Sequence, residues 1–489
     1  MKKFSLIVGI FIVMLFTSFN VKAGYYYSYW GTPIDSVDPY THVKTITPPE
    51  IDVEIGELTD MYVHNDNIYL LDGKLNKIVI LDENYKFVKQ FPENLEMDPV
   101  KMNGPKGIFV RDELDKSGEL RTYIYVADTG NGRVLRIKDN WLYKEFKTPD
   151  ELIFQGEEAV DYKPEKIVVN NTGKMYIIAT GVYEGILELD PDGTFSRFVG
   201  TNKVAINIID RFWMMFMSKE QRDKINLYLP TTFLNFHVDE DGFLYTVTQT
   251  SDGSGNDMIK RINTKGVDVL SRTGYFFPKG EVSYTWWDNG DVPTGPSLLL
   301  DITANDYGLY SVVDVNRGRI FTYDFDGNLL YIFGGNGKQV GKFSNATTIQ
   351  YVHDNLLVMD STNNTISVFE PTKFGELVNE ATRLYYEGDY EESAEVWEKT
   401  LKYNTNYYLA YRGIARTQYI KGDYKASMEN FKLANDKTNY SLAYKEYRNE
   451  QLKKYFPIIV VLMFSSVGYL LYKSIKDNIR EAKETGRDD

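Results

Sequence analysis

Between residues 58 and 369 short apolar runs alternate with polar turns, and the same order recurs six times, at 58–81, 104–137, 163–189, 233–262, 298–323 and 345–369. Each unit opens with an apolar strand and a tight turn rich in Asn, Asp and Gly. A second strand rich in Tyr, Ile and Val follows, then a turn often opened by Asp, then a third alternating strand. Some units add a fourth strand, as in TFSRFVG (194–200) and LLYIFGG (329–335). A four-stranded unit repeated in this way predicts the blades of a propeller, here six, over 24–372. The sixth unit lacks a fourth strand. The segment THVKTITPP ahead of the first blade has the alternation to supply it, so residues 40–49 are expected to complete the last blade and seal its edge.

After Phe374 the period becomes helical. GDYEESAEVWEKTL begins at Gly388 and GDYKASMENFKLAN at Gly422, a spacing of 34 residues, with Ala381 answered by Ala415 and Trp397 by Phe431. This predicts paired helices over 373–454, serving as a stalk or as a groove for a partner peptide.

The ends of the chain set its expected address. Lys2 and Lys3, the apolar run Phe4–Phe16 and Val21-Lys22-Ala23 form a secretory signal over 1–23. An uncharged stretch over 455–472 is long enough for one membrane-crossing helix, leaving a tail at 473–489. Five Lys and Arg flank each side, so positive charge does not orient the span. The signal does: the ectodomain is expected outside the cell membrane and the tail in the cytoplasm, a single-pass type I arrangement.

GPKGIF and YIYVADTGNGRVLRI in the second unit resemble the NHL repeat, and the other five units resemble degenerate versions of it. The 34-residue units resemble TPR repeats. The whole order resembles the membrane-anchored NHL/TPR proteins of Gram-positive bacteria. The resemblance implies a mainly β fold, a six-bladed NHL-type β-propeller followed by a small α-helical TPR-like segment and one transmembrane helix. Some proteins of this type look associated with sugar ABC-transporter systems, which implies a place beside uptake.

The chemistry narrows the function less. The chain has no Cys, excluding disulfides, thiolate nucleophiles and Cys-based zinc sites. A net charge of −14 argues against nucleic acid as a partner. Six-bladed NHL-like lyases hold zinc through several His, but His42, His64, His237 and His353 are not expected to build such a site, because the binding face of the family is usually built by the other set of loops. Propeller lactonases hold calcium through channel carboxylates. Asp72, Asp128, Asp314 and Asp360 recur at one turn position, which points to hairpin stabilisation rather than a metal. No cofactor and no catalytic residue is expected, and no Gly-x-Ser-x-Gly motif or phosphate loop occurs.

Two insertions, 203–229 and 274–296, interrupt the blades and carry aromatic clusters. Trp213, Phe216, Trp286, Trp287 and Asp288 are the expected rim contacts for a partner protein or a glycan. Tyr25-Tyr26-Tyr27-Ser28-Tyr29-Trp30 suits either contact or packing. The leading expectation is a membrane-anchored extracellular binding or scaffold protein. The alternative is a calcium-dependent hydrolase or lyase, distinguished by channel carboxylates converging on a divalent ion.

Overall fold

The computed structural model describes residues 24–93, 100–139, 141–155, 160–200, 232–249, 258–281 and 297–485. Its contacts divide the chain into two compact units, one ending at Gly388 and the other beginning at Asp389.

The first unit is a six-bladed β-propeller. The described chain starts with β1 (Gly24–Tyr27), β2 (Pro33–Ser36) and β3 (Tyr40–Ile46). Blade one follows as β4 (Leu58–His64), β5 (Asn67–Asp72), β6 (Lys77–Leu81) and β7 (Phe87–Phe91). Blade two is β8 (Gly107–Leu114), β9 (Leu120–Asp128), β10 (Arg133–Lys138) and β11 (Trp141–Phe146). Blade three is β12 (Pro164–Val169), β13 (Met175–Ala179), β14 (Ile186–Leu189) and β15 (Phe195–Val199). Blade four shows β16 (Thr232–Val238), β17 (Leu244–Gln249) and β18 (Ile259–Ile262) among the described residues. Blade five is β19 (Leu299–Ala304), β20 (Tyr310–Asp314), β21 (Arg319–Tyr323) and β22 (Leu329–Gly334), and blade six begins with β23 (Ala346–Val352), β24 (Asn355–Asp360) and β25 (Thr365–Pro371). The first strands of neighbouring blades contact one another and so form the inner ring.

The first described strands complete blade six and extend blade five. β3 runs antiparallel to β25, with Ile46 opposite Ile366 and Tyr40 opposite Pro371. Pairing the two ends of the ring removes an exposed sheet edge and ties the first blade to the last. The apolar seam beneath it joins Ile46, Met61, Leu70 and Val79 to Val352, Leu357, Met359 and Val368. Each such buried side chain contributes about 1.5–3 kcal/mol. β1 and β2 add to the outer edge of blade five, with Tyr25 opposite Ile332, to give a six-stranded sheet. Thus Tyr25, Tyr26 and Tyr27 are strand residues. Tyr26 is buried, Tyr27 stacks on Phe276 at 4.3 Å, and Trp30 alone of the two flanking rings stands out at 71% exposure.

The Asp positions at the second turn of blades one, two, five and six work as backbone latches. Asp72 accepts from the amides of Gly56, Glu57, Lys74 and Leu75, so one carboxylate fixes its own turn and the approach to the inner strand. Asp128, Asp314 and Asp360 repeat this on Asn103, Leu298 and Ser344. All four are buried, and the amide donors satisfy the charge that burial would otherwise penalise. Four residues after each Asp the chain turns left-handed, at Asn76, Gly132, Gly318 and Asn364. Asn and Gly tolerate that conformation best, which explains their recurrence there.

The helix Lys373–Glu387 also belongs to the first unit. Its Asn379 lies between the buried hydroxyls of Tyr40 and Tyr331, and the Thr372 hydroxyl at its start accepts from the Gly375 amide.

The second unit is helical: Tyr390–Thr400, Tyr408–Ile420, Tyr424–Leu433 and Lys437–Thr485. Consecutive helices pack on one another around Ala415, Phe431 and Ala443. Gly413 lets the Trp397 indole lie against the backbone, since a Cβ there would sit 2.3 Å from Nε1. Arg412 and Asp436 form a buried ion pair at 2.9 Å. The last helix is long and apolar enough to cross a membrane, and its apolar window is unburied by protein.

Candidate functional site

The inner ring begins with a row of polar residues, one at the same level of each blade but the second: Asp60, Lys166, Asn235, Asp301 and Thr348. In all five strands a register shift occurs immediately before this residue, skipping the position that precedes it and leaving the polar residue paired with the second strand. The Asp60 carboxylate accepts the Ile108 amide and pairs with Lys166 Nζ at 2.8 Å. Asp301 accepts from Asn235 Nδ2 at 2.6 Å and from the Ile349 amide. The Lys166 ammonium also acts electrostatically on Asp301, countering the repulsion of Asp60. Burial nevertheless dominates and pushes the Asp301 carboxyl up to about 7. In blade two the corresponding position is Gly107, where a Cβ would meet the Glu165 carbonyl oxygen at 2.5 Å. The channel is therefore closed at this level by hydrogen-bonded side chains, and the positive charge between its carboxylates comes from a lysine.

Farther along the same strands lies a pocket of about 440 Å³. It is built where β4, β16, β19 and β23 turn into the next strand. Tyr62, His64 and Asp66 come from blade one, His237, Asp239 and Glu240 from blade four, Asn305 and Asp306 from blade five, and Tyr351 and His353 from blade six. Three of the four histidines thus line one pocket. His64 Nε2 lies 3.2 Å from Asp112, and His353 Nε2 lies 3.2 Å from Asp66. Asp239 pairs with Arg261 at 3.1 Å. His237 has neither an ion pair nor a hydrogen bond among the described residues, and burial lowers its imidazole to about 4, so it is neutral at physiological pH. Among the described residues no three His, Asp or Glu side chains come close enough together to hold a metal ion.

The pocket was not legible from residue types. His64 ends its strand, His237 sits inside one, and His353 occupies a left-handed turn. The sequence signal is that all three fall near the first turn of their blades, on the face that the family resemblance did not favour. The expected rim residues Trp213, Phe216, Trp286, Trp287 and Asp288 lie outside the described residues. His42 takes no part in the pocket: it lies in β3, bonded to Thr45 Oγ1 at 2.8 Å.

No family model and no curated protein matches this chain. Among solved structures it is similar to virginiamycin B lyase from Staphylococcus aureus, at 11% identity and a TM-score of 0.39, over 67% of this chain and 98% of that one. A streptogramin B lyase structure matches at 12% identity and 0.40, over 69% and 100%. BamB from Moraxella catarrhalis matches at 12% identity and 0.34, over 68% and 99%.

Proposed function

We propose that this chain is a membrane-anchored binding module whose propeller takes a ligand or a partner's side chain in the pocket at the channel mouth. The observation that carries this reading is the pocket itself: a concave site of ligand size, with convergent polar groups from four blades, on a ring whose channel is closed beneath it. The signal-like start and the apolar last helix support an ectodomain outside the cell membrane, type I, with the NHL-like ring presented by the TPR-like helices. The rim residues Trp213, Phe216, Trp286, Trp287 and Asp288 are proposed as a second surface, for a protein or a glycan. A place beside a sugar transporter is the physiological setting this arrangement would suit.

The chemistry of the channel supports binding over catalysis. Its two converging carboxylates are answered by Lys166 and Asn235, leaving them engaged in hydrogen bonds rather than open to a substrate.

Photo-crosslinking from a benzoylphenylalanine at Asn305, inside the pocket, tests the reading in cells that make the whole chain. A discrete adduct is expected from Asn305 and not from Lys89 on the outer strand of blade one. Equal labelling from both positions, or none from Asn305, overturns it.

A further inference from the structure

The hairpin tips around the pocket are tied to one another from blade to blade. Tyr307 of blade five donates its hydroxyl to Asp354 of blade six at 3.1 Å. His353 of blade six brings Nε2 within 3.2 Å of Asp66 on the blade-one tip. On its other flank that tip reaches blade two: Asn65 Nδ2 donates to Asp112 at 2.8 Å, and His64 Nε2 lies 3.2 Å from the same carboxylate. Arg111 then donates to the Asn170 carbonyl of blade three, and Asn171 to the Glu240 carbonyl of blade four.

The two flanks of the blade-one tip differ from the other ties in carrying a histidine. Histidine is the side chain whose charge ordinarily changes between about pH 5 and 8, whereas the Tyr, Arg and Asn donors keep their protons there. His64 Nε2 is enclosed and makes no hydrogen bond among the described residues, so a proton on it supplies both the donor and the charge that Asp112 can answer. His353 meets Asp66 in the same way, with Asp354 beside it and Asp306 and Tyr307 presented by blade five. On the His64 side Asp112 also acts on the Tyr69 phenol of β5. The far wall of the pocket holds His237, Glu240 and Asp239. The cations in these surroundings are engaged elsewhere: Arg111 on blade three, Arg261 with Asp239, and Arg383 with Glu387 in the helix Lys373–Glu387.

Both histidine ties act on one small body. Asn65 and Asp66 form a two-residue turn between β4 and β5, both left-handed, with φ of 47° and 62°. Exposed ion pairs are individually weak, but two on opposite flanks of one tight turn resist the same movement. The tip also supplies Tyr62, His64 and Asp66 to the pocket wall, so its displacement widens the mouth.

We propose that the blade-one tip is a proton-dependent clasp on the pocket: with His64 and His353 protonated it is held to blades two and six, and with both neutral it opens more readily. The clasp concerns movement of the rim and goes beyond the question of what the pocket binds.

The test is hydrogen exchange of the full chain in lipid nanodiscs at about pH 5.5 and about pH 8, each amide rate divided by its intrinsic rate at that pH. The amides of 63–68, which close the β4–β5 ladder, are expected to be about threefold or more better protected at the lower pH. The blade-three tip at 170–173, tied through Arg111 and Asn171, should show no such difference. His64→Gln with His353→Gln should abolish the difference, and so should Asp66→Asn with Asp112→Asn. His353 is 70% exposed, so His353→Gln alone leaves the fold intact and should reduce the difference. Equal protection of the tip at the two pH values, a difference that survives in either double variant, or the same difference at the blade-three tip overturns the inference. The Asn305 crosslink is read independently, so an adduct without a pH-dependent tip keeps the binding role and removes only the clasp.

Discussion

Asn364, in the last blade, holds Leu58, in the first: its carboxamide oxygen accepts the Leu58 amide at 2.9 Å, while its Nδ2 donates to the Gly56 carbonyl at 3.3 Å. The same residue sits in the left-handed region, with φ of 52°. One side chain thus meets two requirements, a turn conformation and a bond across the seam where the ring closes.

Substituting Asn364 separates these requirements. Asn364→Gly keeps the backbone conformation and loses both side-chain bonds, so a loss of about 1–3 kcal/mol is expected. Asn364→Ala adds the strain of a left-handed alanine and should lose about 1 kcal/mol more. Urea unfolding of the full chain, followed by aromatic fluorescence, measures both. A Gly variant less stable than the Ala variant would mean that conformation does not matter at this seam.

Glu281 does for the amino-terminal hairpin what Asn364 does for the seam. Its carboxylate accepts from the hydroxyls of Tyr25 and Tyr27 and pairs with Arg317 and Arg319. The desolvated surroundings and this carboxylate hold both phenols far above their ordinary range, so they stay protonated donors. Glu281→Ala removes one of the two carboxylates that face the buried Arg317, leaving Asp314 at 3.6 Å, and removes the acceptor of both phenols, at an expected cost of about 1–3 kcal/mol. The amides of residues 24–36 should exchange with solvent faster, while those of β23 and β24 should hold their protection. Uniform loss of protection across the propeller would contradict a local role for Glu281.

Gly107 tests the closed channel from its backbone side. A methyl group there meets the Glu165 carbonyl at 2.5 Å and the Lys166 Cα at 2.9 Å, and neither is the movable end of a side chain. Gly107→Ala should therefore destabilise by about 1–3 kcal/mol. Gly118→Ala serves as the comparison, since nothing lies within 4 Å of a Cβ there and only its φ of +80° resists substitution. Equal loss in the two variants, read from their urea midpoints, would show that the Lys166 contact is not tight.

The ring was readable in the sequence because its signals are local. Asp72, Asp128, Asp314 and Asp360 mark one turn, and the Asn or Gly four positions later marks its left-handed residue. The alternation of 41–49 matches the strand Tyr40–Ile46 that lies beside β25. The pairing of Tyr25 with Ile332 is different in kind. A short Tyr-rich run has no periodicity to say which edge it will join, so β1 could not be assigned to blade five. The pocket was hidden for the same reason. His64, His237 and His353 come from three blades, and only ring geometry brings them to one place. What the residue types did convey correctly was the latch role of the turn Asp residues, because an Asp at a tight turn needs only its neighbours' amides.

A buried carboxyl and a half-buried imidazole should oppose each other in the acid range. The Asp301 carboxyl, raised from 3.8 to about 7, binds its proton more tightly in the folded chain. Its stabilising effect is complete below pH 3.8, falls as pH rises, and is gone above about 7. His237, lowered from 6.5 to about 4, behaves in the reverse sense. Its contribution is complete above pH 6.5 and is lost as pH falls through about 4. At about 1.4 kcal/mol per unit the spans are on the order of 4 and 3 kcal/mol, with opposite slopes. Between pH 4 and 6.5 the two nearly cancel in the wild-type chain. Asp301→Asn removes one slope, so its unfolding free energy should decline as pH drops across that interval. His237→Asn removes the other, and its stability should decline as pH rises. Urea unfolding at several pH values reads both directly. Parallel profiles for the wild type and Asp301→Asn would mean that Asp301 is ionised in the fold, and that Lys166 outweighs the cost of burying it.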